Sequence, residues 1–361
     1  MIYRTIKESI IKAIHTKPVV LVTGARQVGK STLCAEIGKE HGYNYVSLDN
    51  LRERETAIND PELFLTLHKA PLIIDEIQYA PKLFDVIEAI VNERKINGGD
   101  NKGMYILTGS ESYSLMQGVT QSLAGRVSII EMSPFSLREI RNLEERPFIV
   151  EPNENDERNK ENCLDIDELY PLIIKGFFPE LYDNPLLDAE TFYSDYVKTY
   201  LERDVSKLIN LKDKMKFQKF MEVLASLTGE EFIANNLAKA IGVSVLTIQS
   251  WISILLAGNI IFLLEPYNEI IKSYKNNNKK PNFYYYRDID QREIDLVILE
   301  NGVLSFVECK SGISYGKNDI RAFAVLKNNT RYAVGKSAIV CATNEVYSVD
   351  IDVYVIPFGA I

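Results

Sequence analysis

Eight residues, Gly24-Ala25-Arg26-Gln27-Val28-Gly29-Lys30-Ser31, constrain this chain more than any other stretch. They follow the β-rich run Val19 to Thr23, and a helical pattern resumes at Thr32, so both glycines fall in a strand-to-helix turn. Gly24 and Gly29 let backbone amides turn inward as an anion nest, Lys30 adds a point charge, and Ser31 offers a hydroxyl to a divalent cation. Such a turn predicts a phosphate cradle running from Gly24 through Thr32, with ATP and Mg²⁺ as its ligands.

A second motif completes the first. Pro71-Leu72-Ile73-Ile74-Asp75-Glu76 reads as an apolar strand ending in two acids. Asp75 at the strand tip is the candidate anchor of the Mg²⁺ shell, and Glu76 the candidate base that orients and deprotonates a water. Simple helix capping by these acids is the competing reading. Met104 to Ser110 is another apolar strand, ending in Thr108-Gly109-Ser110, whose hydroxyls are placed either to sense a γ phosphate or to make an ordinary turn. With Tyr45 to Leu48 and Val127 to Glu131, five short strands alternate with helical patterns, which predicts a parallel sheet with helices on both faces.

The segments TGARQVGKST, PLIIDEIQ, ILTGS, SLAGR, GFFPELY and YLERDV stand in this order. The combination resembles the prokaryotic AAA-type ATPases whose C-terminal half is catalogued only as a domain of unknown function, and the likeness covers essentially the whole chain. It implies that Arg126, in Leu123-Ala124-Gly125-Arg126, is a candidate charge stabiliser for the γ phosphate. A surface ion pair is the alternative for Arg126, and Arg203 is expected to hold helices together through neighbouring acids.

Composition removes several classes. The formal charge is −9 and the pI near 5.2, an acidic balance that argues against a surface built to coat nucleic acid, although residues 267–361 escape the bias. The four cysteines and three histidines are scattered, which predicts neither a zinc cluster nor a disulfide framework. The longest apolar run, Trp251 to Leu264, is interrupted by Asn259 and is too short to span a bilayer. Met1 to Ile14 lacks a signal-peptide pattern, so a cytoplasmic protein without membrane contact is expected. Glu144 to Glu168, polar and acidic, is expected as a surface loop, with helices from Leu169 to Leu211.

Residues 215–266 follow winged-helix order, with a turn at Gly242 and a helix start at Ser244. The would-be recognition helix, Val245 to Ala257, contains no Lys or Arg, which favours a packing or protein-contact role over DNA reading.

Three later runs form a strand meander: Asn282 to Arg287, Glu293 to Leu299 and Val303 to Lys310. Asn301-Gly302 is a strong two-residue hairpin signal. A turn there pairs Glu300 with Val303, sets Asp295 opposite Glu308 and Glu293 opposite Lys310, and points all four polar groups to one face. Facing carboxylates repel unless a cation or proton lies between them. A divalent ion on Asp295 and Glu308 with Lys310 activating a water is therefore one reading. A solvent-facing strand with a Glu293 to Lys310 salt bridge is the other.

Asp295, Glu308 and Lys310 in this arrangement resemble the restriction-endonuclease-like PD-(D/E)XK nucleases. Relatives usually carry a further strand and helices before the meander; here Leu264 to Tyr267 runs almost directly into Asn268 to Tyr274, so that portion is expected to be deleted. Glu269 is a candidate substitute for the missing acid, and Lys272, Lys275, Lys279 and Lys280 near Tyr284 to Tyr286 are candidates for a small nucleic-acid contact.

The expected organisation is an AAA-type ATPase domain at 1–140, an acidic loop and helical segment at 141–214, a winged-helix-like segment at 215–266 and a shortened nuclease-like α/β domain at 267–361. The leading functional expectation is an ATP-hydrolysing protein coupled to a module that acts on DNA. The alternative is a nucleotide-gated binding protein with an inactive nuclease-like domain, and a P-loop kinase is disfavoured by the Asp75-Glu76 pair. The resemblance also makes a homo-oligomer a candidate assembly.

Overall fold

The computed structural model describes residues 2–109, 119, 122–200, 214–227, 232–257, 260–261, 274, 277, 279, 282–288 and 292–361. The chain divides into two compact units, neither continuous in sequence. One comprises Ile10–Met132 and Asn184–Leu264, the other Met1–Ser9, Ser133–Asp183 and Glu265–Ile361.

In the first unit, β1 (Val19–Thr23), β2 (Asn44–Ser47), β3 (Leu72–Asp75), β4 (Tyr105–Thr108) and β5 (Val127–Glu131) form one sheet in the order β2-β3-β4-β1-β5. Every pairing is parallel. β1, β3 and β4 are buried along their whole length, which is why they read as continuous apolar runs rather than alternating ones. α1 (Ile6–Ile14) crosses the chain boundary between the units at Ser9, and α2 (Lys30–His41), α3 (Leu51–Asn59), α4 (Pro61–Leu67) and α5 (Leu83–Ile96) complete the α/β alternation. Leu21, Phe64, Ile74, Phe84, Ile87 and Leu107 belong to the main core.

The same unit holds helices Lys214–Ser226, Ala234–Ile241 and Val245–Ala257 around Phe217, Phe220, Trp251 and Leu255. The last two are bent by 107° at a break in which Gly242 takes the left-handed conformation (φ 74°) and Ser244 Oγ accepts the Thr247 amide at 3.1 Å. This is helix-turn-helix geometry. The strand expected to follow it lies outside the described residues, as do Ser110, Arg203, Glu269, Lys272, Lys275 and Lys280. Among the described residues no single helix is long and apolar enough to cross a membrane.

The second unit is built on a mixed sheet ordered β11-β12-β10-β8-β7-β6, with β9 (Ala333–Val334) beside β8. β6 (Asn282–Arg287), β7 (Glu293–Glu300) and β8 (Val303–Cys309) are the expected antiparallel meander. β10 (Ser337–Cys341) joins β8 in parallel and β12 (Val353–Pro357) joins β10, while β11 (Tyr347–Asp350) closes the edge.

One expectation is corrected here. The 144–168 stretch contains helix Pro152–Glu161 rather than forming a loop throughout. Pro152 occupies the first turn, and Glu154 to Arg158 (2.6 Å) and Asp156 to Lys160 (2.6 Å) are i,i+4 ion pairs, so a polar composition still supports a helix. Its inward face is polar too. Asn159 Nδ2 donates to Asn344 O at 2.8 Å and Asn162 Nδ2 to Gly359 O at 3.0 Å. Phe148 and Val150, just before it, enter the core formed by Tyr274, Leu296, Val307, Val340 and Ile356.

Candidate functional site: the phosphate loop and its acids

β1 delivers Gly24 at φ 135°, where an added Cβ would lie 2.1 Å from the Met132 carbonyl oxygen, so only glycine fits. Gln27 (φ 60°) and Gly29 (φ 91°) also take left-handed values as the loop turns into α2. Ala25 and Val28 are buried, and Thr32 is exposed on the first turn of α2. Lys30 begins that helix, is 6% exposed, and donates from Nζ to the carbonyls of Gly24 (2.9 Å) and Ala25 (2.7 Å). Burial pulls its ammonium down to about 8 against the opposing pull of Glu76, while Arg26 pushes the same way as burial.

Asp75 ends β3, 4% exposed, and four hydroxyls converge on it. Ser31 Oγ donates to Oδ1 at 2.7 Å, and Thr108 Oγ1 donates to the same oxygen. Tyr45 and Ser47, from β2, donate to Oδ2 at 2.9 and 3.3 Å. Glu76 follows at φ 58°, a left-handed conformation that ends the strand and opens the turn Ile77–Tyr79. Its amide donates to Thr108 Oγ1 at 3.3 Å and Gln78 Nε2 donates to its carboxylate, so Thr108 links both acids. Burial raises the Glu76 carboxyl above its ordinary range, opposed by Gln78 and Lys30 and reinforced by Asp75.

Gly24 to Ser31, Asp75, Glu76 and Thr108 are thus brought to the C-terminal edge of the sheet. Arg126 is not. β5 runs parallel to β1 with Val127 beside Val19 and Glu131 beside Thr23, so Arg126 precedes the N-terminal edge, about 17 Å of strand from the loop. It pairs with Glu88 at 3.2 Å and donates to Asn92 Oδ1 at 2.7 Å, which is the ion-pair alternative. Within one chain it does not face the glycine loop.

Tyr45, Ser47 and Gln78 were not singled out from sequence. The alternation Tyr45-x-Ser47 puts two hydroxyls on one strand face, but only the β2–β3 register, Ser47 beside Asp75, shows what they meet.

In the second unit the hairpin register is the expected one. Asn301 and Gly302 both have positive φ (51° and 81°), Glu300 pairs with Val303 and Leu296 with Val307. Continuing that register sets Asp295 against Glu308. Asp295 Oδ2 accepts the Cys309 amide at 2.7 Å, and Lys310 Nζ binds Glu308 Oε1 at 2.7 Å. Glu308 Oε2 is buried with no hydrogen-bond partner. Burial raises both carboxyls; the Cys309 amide and Lys310 oppose it at Asp295, and Lys310 opposes it at Glu308. Burial lowers the Lys310 amine, but Glu308 and Asp295 together carry it above its ordinary value.

The ion partners differ from the expected Glu293 to Lys310 salt bridge, since Lys310 takes Glu308 and Glu293 takes a residue of β6. Glu293 pairs with Arg287 across β6–β7, 4.0 Å away. An irregularity between Tyr284 and Tyr286 shifts the β6–β7 register by one, leaving Tyr285 opposite Asp295 and Leu296. Among the described residues no three His, Cys, Asp or Glu side chains gather around one point, so a cation at Asp295 and Glu308 would complete its shell with water and backbone oxygen.

Three family models match the chain. Residues 16–141 match an AAA domain, and residues 166–289 and 267–361 match two domains of unknown function, DUF8612 and DUF4143. Uncharacterized proteins of Mycobacterium bovis and Mycobacterium tuberculosis are each 26% identical over 273 residues, 76% of this chain and 55% of theirs. The chain therefore spans about half the length of the curated relatives it matches. Among solved structures, RuvB of Thermotoga maritima overlaps 76% of this chain and 94% of its own at 18% identity with a TM-score of 0.32. A Walker-type ATPase of Pyrococcus abyssi overlaps 75% and 94% at 15% identity with a TM-score of 0.35. AMPPCP-bound DnaA from Aquifex aeolicus overlaps 70% and 85% at 13% identity with a TM-score of 0.31. The match to the AAA domain model, residues 16–141, falls on the stretch that builds the parallel sheet and the glycine loop.

Proposed function

We propose that this protein binds ATP with Mg²⁺ and hydrolyses it. The observation that carries the reading is the linked set Ser31, Asp75, Thr108 and Glu76 directly behind the Gly24 to Lys30 loop. Ser31 and Asp75 already share a hydrogen bond, so their oxygens fit a shell in which the hydroxyl meets Mg²⁺ and the carboxylate holds that shell's water. When bound, the ion neutralises charge on the terminal phosphates. Lys30 exchanges its two loop carbonyls for phosphate oxygens, and Glu76, its carboxyl raised by burial, takes the proton of the attacking water. Lys30→Ala is expected to abolish nucleotide binding. Glu76→Gln is expected to retain binding and stop turnover, and ordinary turnover in that variant would remove Glu76 as the base.

A second reading concerns the other unit. The unpartnered Glu308 Oε2 beside Asp295 favours a divalent ion and a phosphodiester substrate, with Lys310 placed to activate water. ATP turnover in the first unit would then regulate nucleic-acid cleavage in the second. The helix-turn-helix supports protein contact better than DNA reading, because Leu246, Gln249, Ser250 and Ser253 are exposed on Val245–Ala257 and that helix carries no cation. Incubation with plasmid DNA and Mg²⁺ or Mn²⁺, with and without ATP, tests the reading. Intact DNA under every condition, alongside ATP turnover, would leave a nucleotide-gated binding protein.

A further inference from the structure

Asp75 is held from two sides, and only one belongs to the phosphate loop. Ser31 and Thr108 occupy Oδ1, from α2 and β4. The outer oxygen, Oδ2, belongs to β2, the edge strand of the sheet, through Tyr45 and Ser47. β2 lies parallel to β3 with Tyr45 beside Ile73 and Ser47 beside Asp75. Partners in a parallel pair point to the same face, and Ile73 Cδ1 approaches Gly38 of α2, so this is the face that α2 covers.

From position 45 the target carboxylate lies two residues further along the sheet, about 6.6 Å. A serine there falls short, and a phenylalanine arrives without a donor. Tyrosine spans the gap and ends in a hydroxyl, 2.9 Å from Oδ2. Ser47, directly alongside, makes the longer bond at 3.3 Å while accepting the Asp49 amide at 3.2 Å. Tyr45 is therefore the stronger of the two outer supports. Tyr45 is 44% exposed, so the bulk of the side chain is not required by the core.

We infer that Tyr45 is a positioning residue for the metal half of the nucleotide site. Its hydroxyl locks the Asp75 carboxylate in the orientation that presents Oδ1 to the Ser31 side, where Mg²⁺ arrives with the triphosphate. Without that bond Asp75 keeps Ser31, Thr108 and Ser47 but turns about its outer oxygen, and affinity for the ion falls while the phosphate loop stays as it is. This inference rests on the ATP reading above.

The test compares wild type with Tyr45→Phe, which removes one oxygen. Binding of a fluorescent ATP analogue is titrated with Mg²⁺, and again in EDTA with no metal; ATP turnover is measured against Mg²⁺. The half-saturating Mg²⁺ concentration is expected to rise about tenfold, as for other supports of metal ligands. Metal-free nucleotide affinity should match wild type, and excess Mg²⁺ should restore turnover. Ser47→Ala should move the Mg²⁺ midpoint in the same direction by less, and carries the test if Tyr45→Phe does not fold. An unchanged midpoint overturns Tyr45's role, as does an equal loss of affinity with and without metal. Absence of nucleotide uptake by the wild-type protein sinks the ATP reading and this inference together, whereas a Mg²⁺-dependent wild type beside an unaltered Tyr45→Phe sinks this inference alone.

Discussion

Lys30 carries the clearest titration at the level of single residues. Burial lowers its pKa to about 8 in the nucleotide-free protein, while a bound triphosphate requires the charged ammonium. ATP uptake is therefore expected to draw in about one proton per molecule near pH 9 and far less near pH 7. Calorimetry in buffers of different ionisation enthalpy reads this directly, and equal proton uptake at both pH values would contradict it. For folding the sign is the reverse of a salt-bridged lysine. The folded value lies below the unfolded 10.5, so the folded state binds fewer protons between about 8 and 10.5, and this group adds stability as pH rises through that window. Asp295 and Glu308 are the opposite case: both folded pKa values are raised, so their protonated forms stabilise the fold at low pH and that contribution is lost as pH rises through the raised values. A divalent ion should offset the loss. Mn²⁺ is expected to raise the melting temperature of the second unit at pH 7 and to do so progressively less as the pH is lowered, with the shift abolished in Asp295→Asn; a shift that survives in Asp295→Asn would place the ion elsewhere.

Among the elements, helix Pro152–Glu161 and the irregular segment before it depart furthest from what their composition predicts. A composition of Asn, Glu and Lys predicts a solvated loop, because a helix is legible in sequence through the spacing of its apolar face and this helix has none. Its inward face is instead made of Asn155, Arg158, Asn159 and Asn162, of which Asn159 and Asn162 donate to backbone carbonyls beyond residue 340. Such a face is specified by hydrogen-bond partners far away in sequence, which no local pattern records. Phe148 supplies the apolar share and is fully buried. Phe148→Ala is expected to cost about 3–5 kcal/mol of stability in the second unit, read as a lowered urea midpoint for the β6–β12 sheet. A cost under about 0.5 kcal/mol would mean the segment behaves as a surface linker after all.

For the whole molecule, the two units interleave along the chain, and this bears on the deletion expected before residue 268. Phe148 and Val150, from earlier in the chain, pack on the sheet of β7, β8, β10 and β12, and helix Pro152–Glu161 lies against β12 and the turn Phe358–Ala360. A fragment of residues 267–361 alone would expose that face, and is expected to be insoluble or molten by near-UV circular dichroism. Supplying residues 133–183 in the same tube should restore order; a well-folded 267–361 fragment would show that the cover is dispensable. The glycine loop, the acid pair ending β3 and the Asn301-Gly302 hairpin were legible beforehand because each is a local pattern whose chemistry is complete within a few residues. What residue order alone determined is the glycine loop between β1 and α2, the parallel alternation of the first unit and the register that faces Asp295 with Glu308. Three-dimensional packing alone decided that Tyr45 and Ser47 close on Asp75, that Arg126 lies at the far edge of the sheet, and that an acidic stretch completes a distant core. In each of these the deciding partner is remote in the chain, so its identity depends on strand order and register, quantities fixed by burial of the whole sheet rather than by any neighbouring residue.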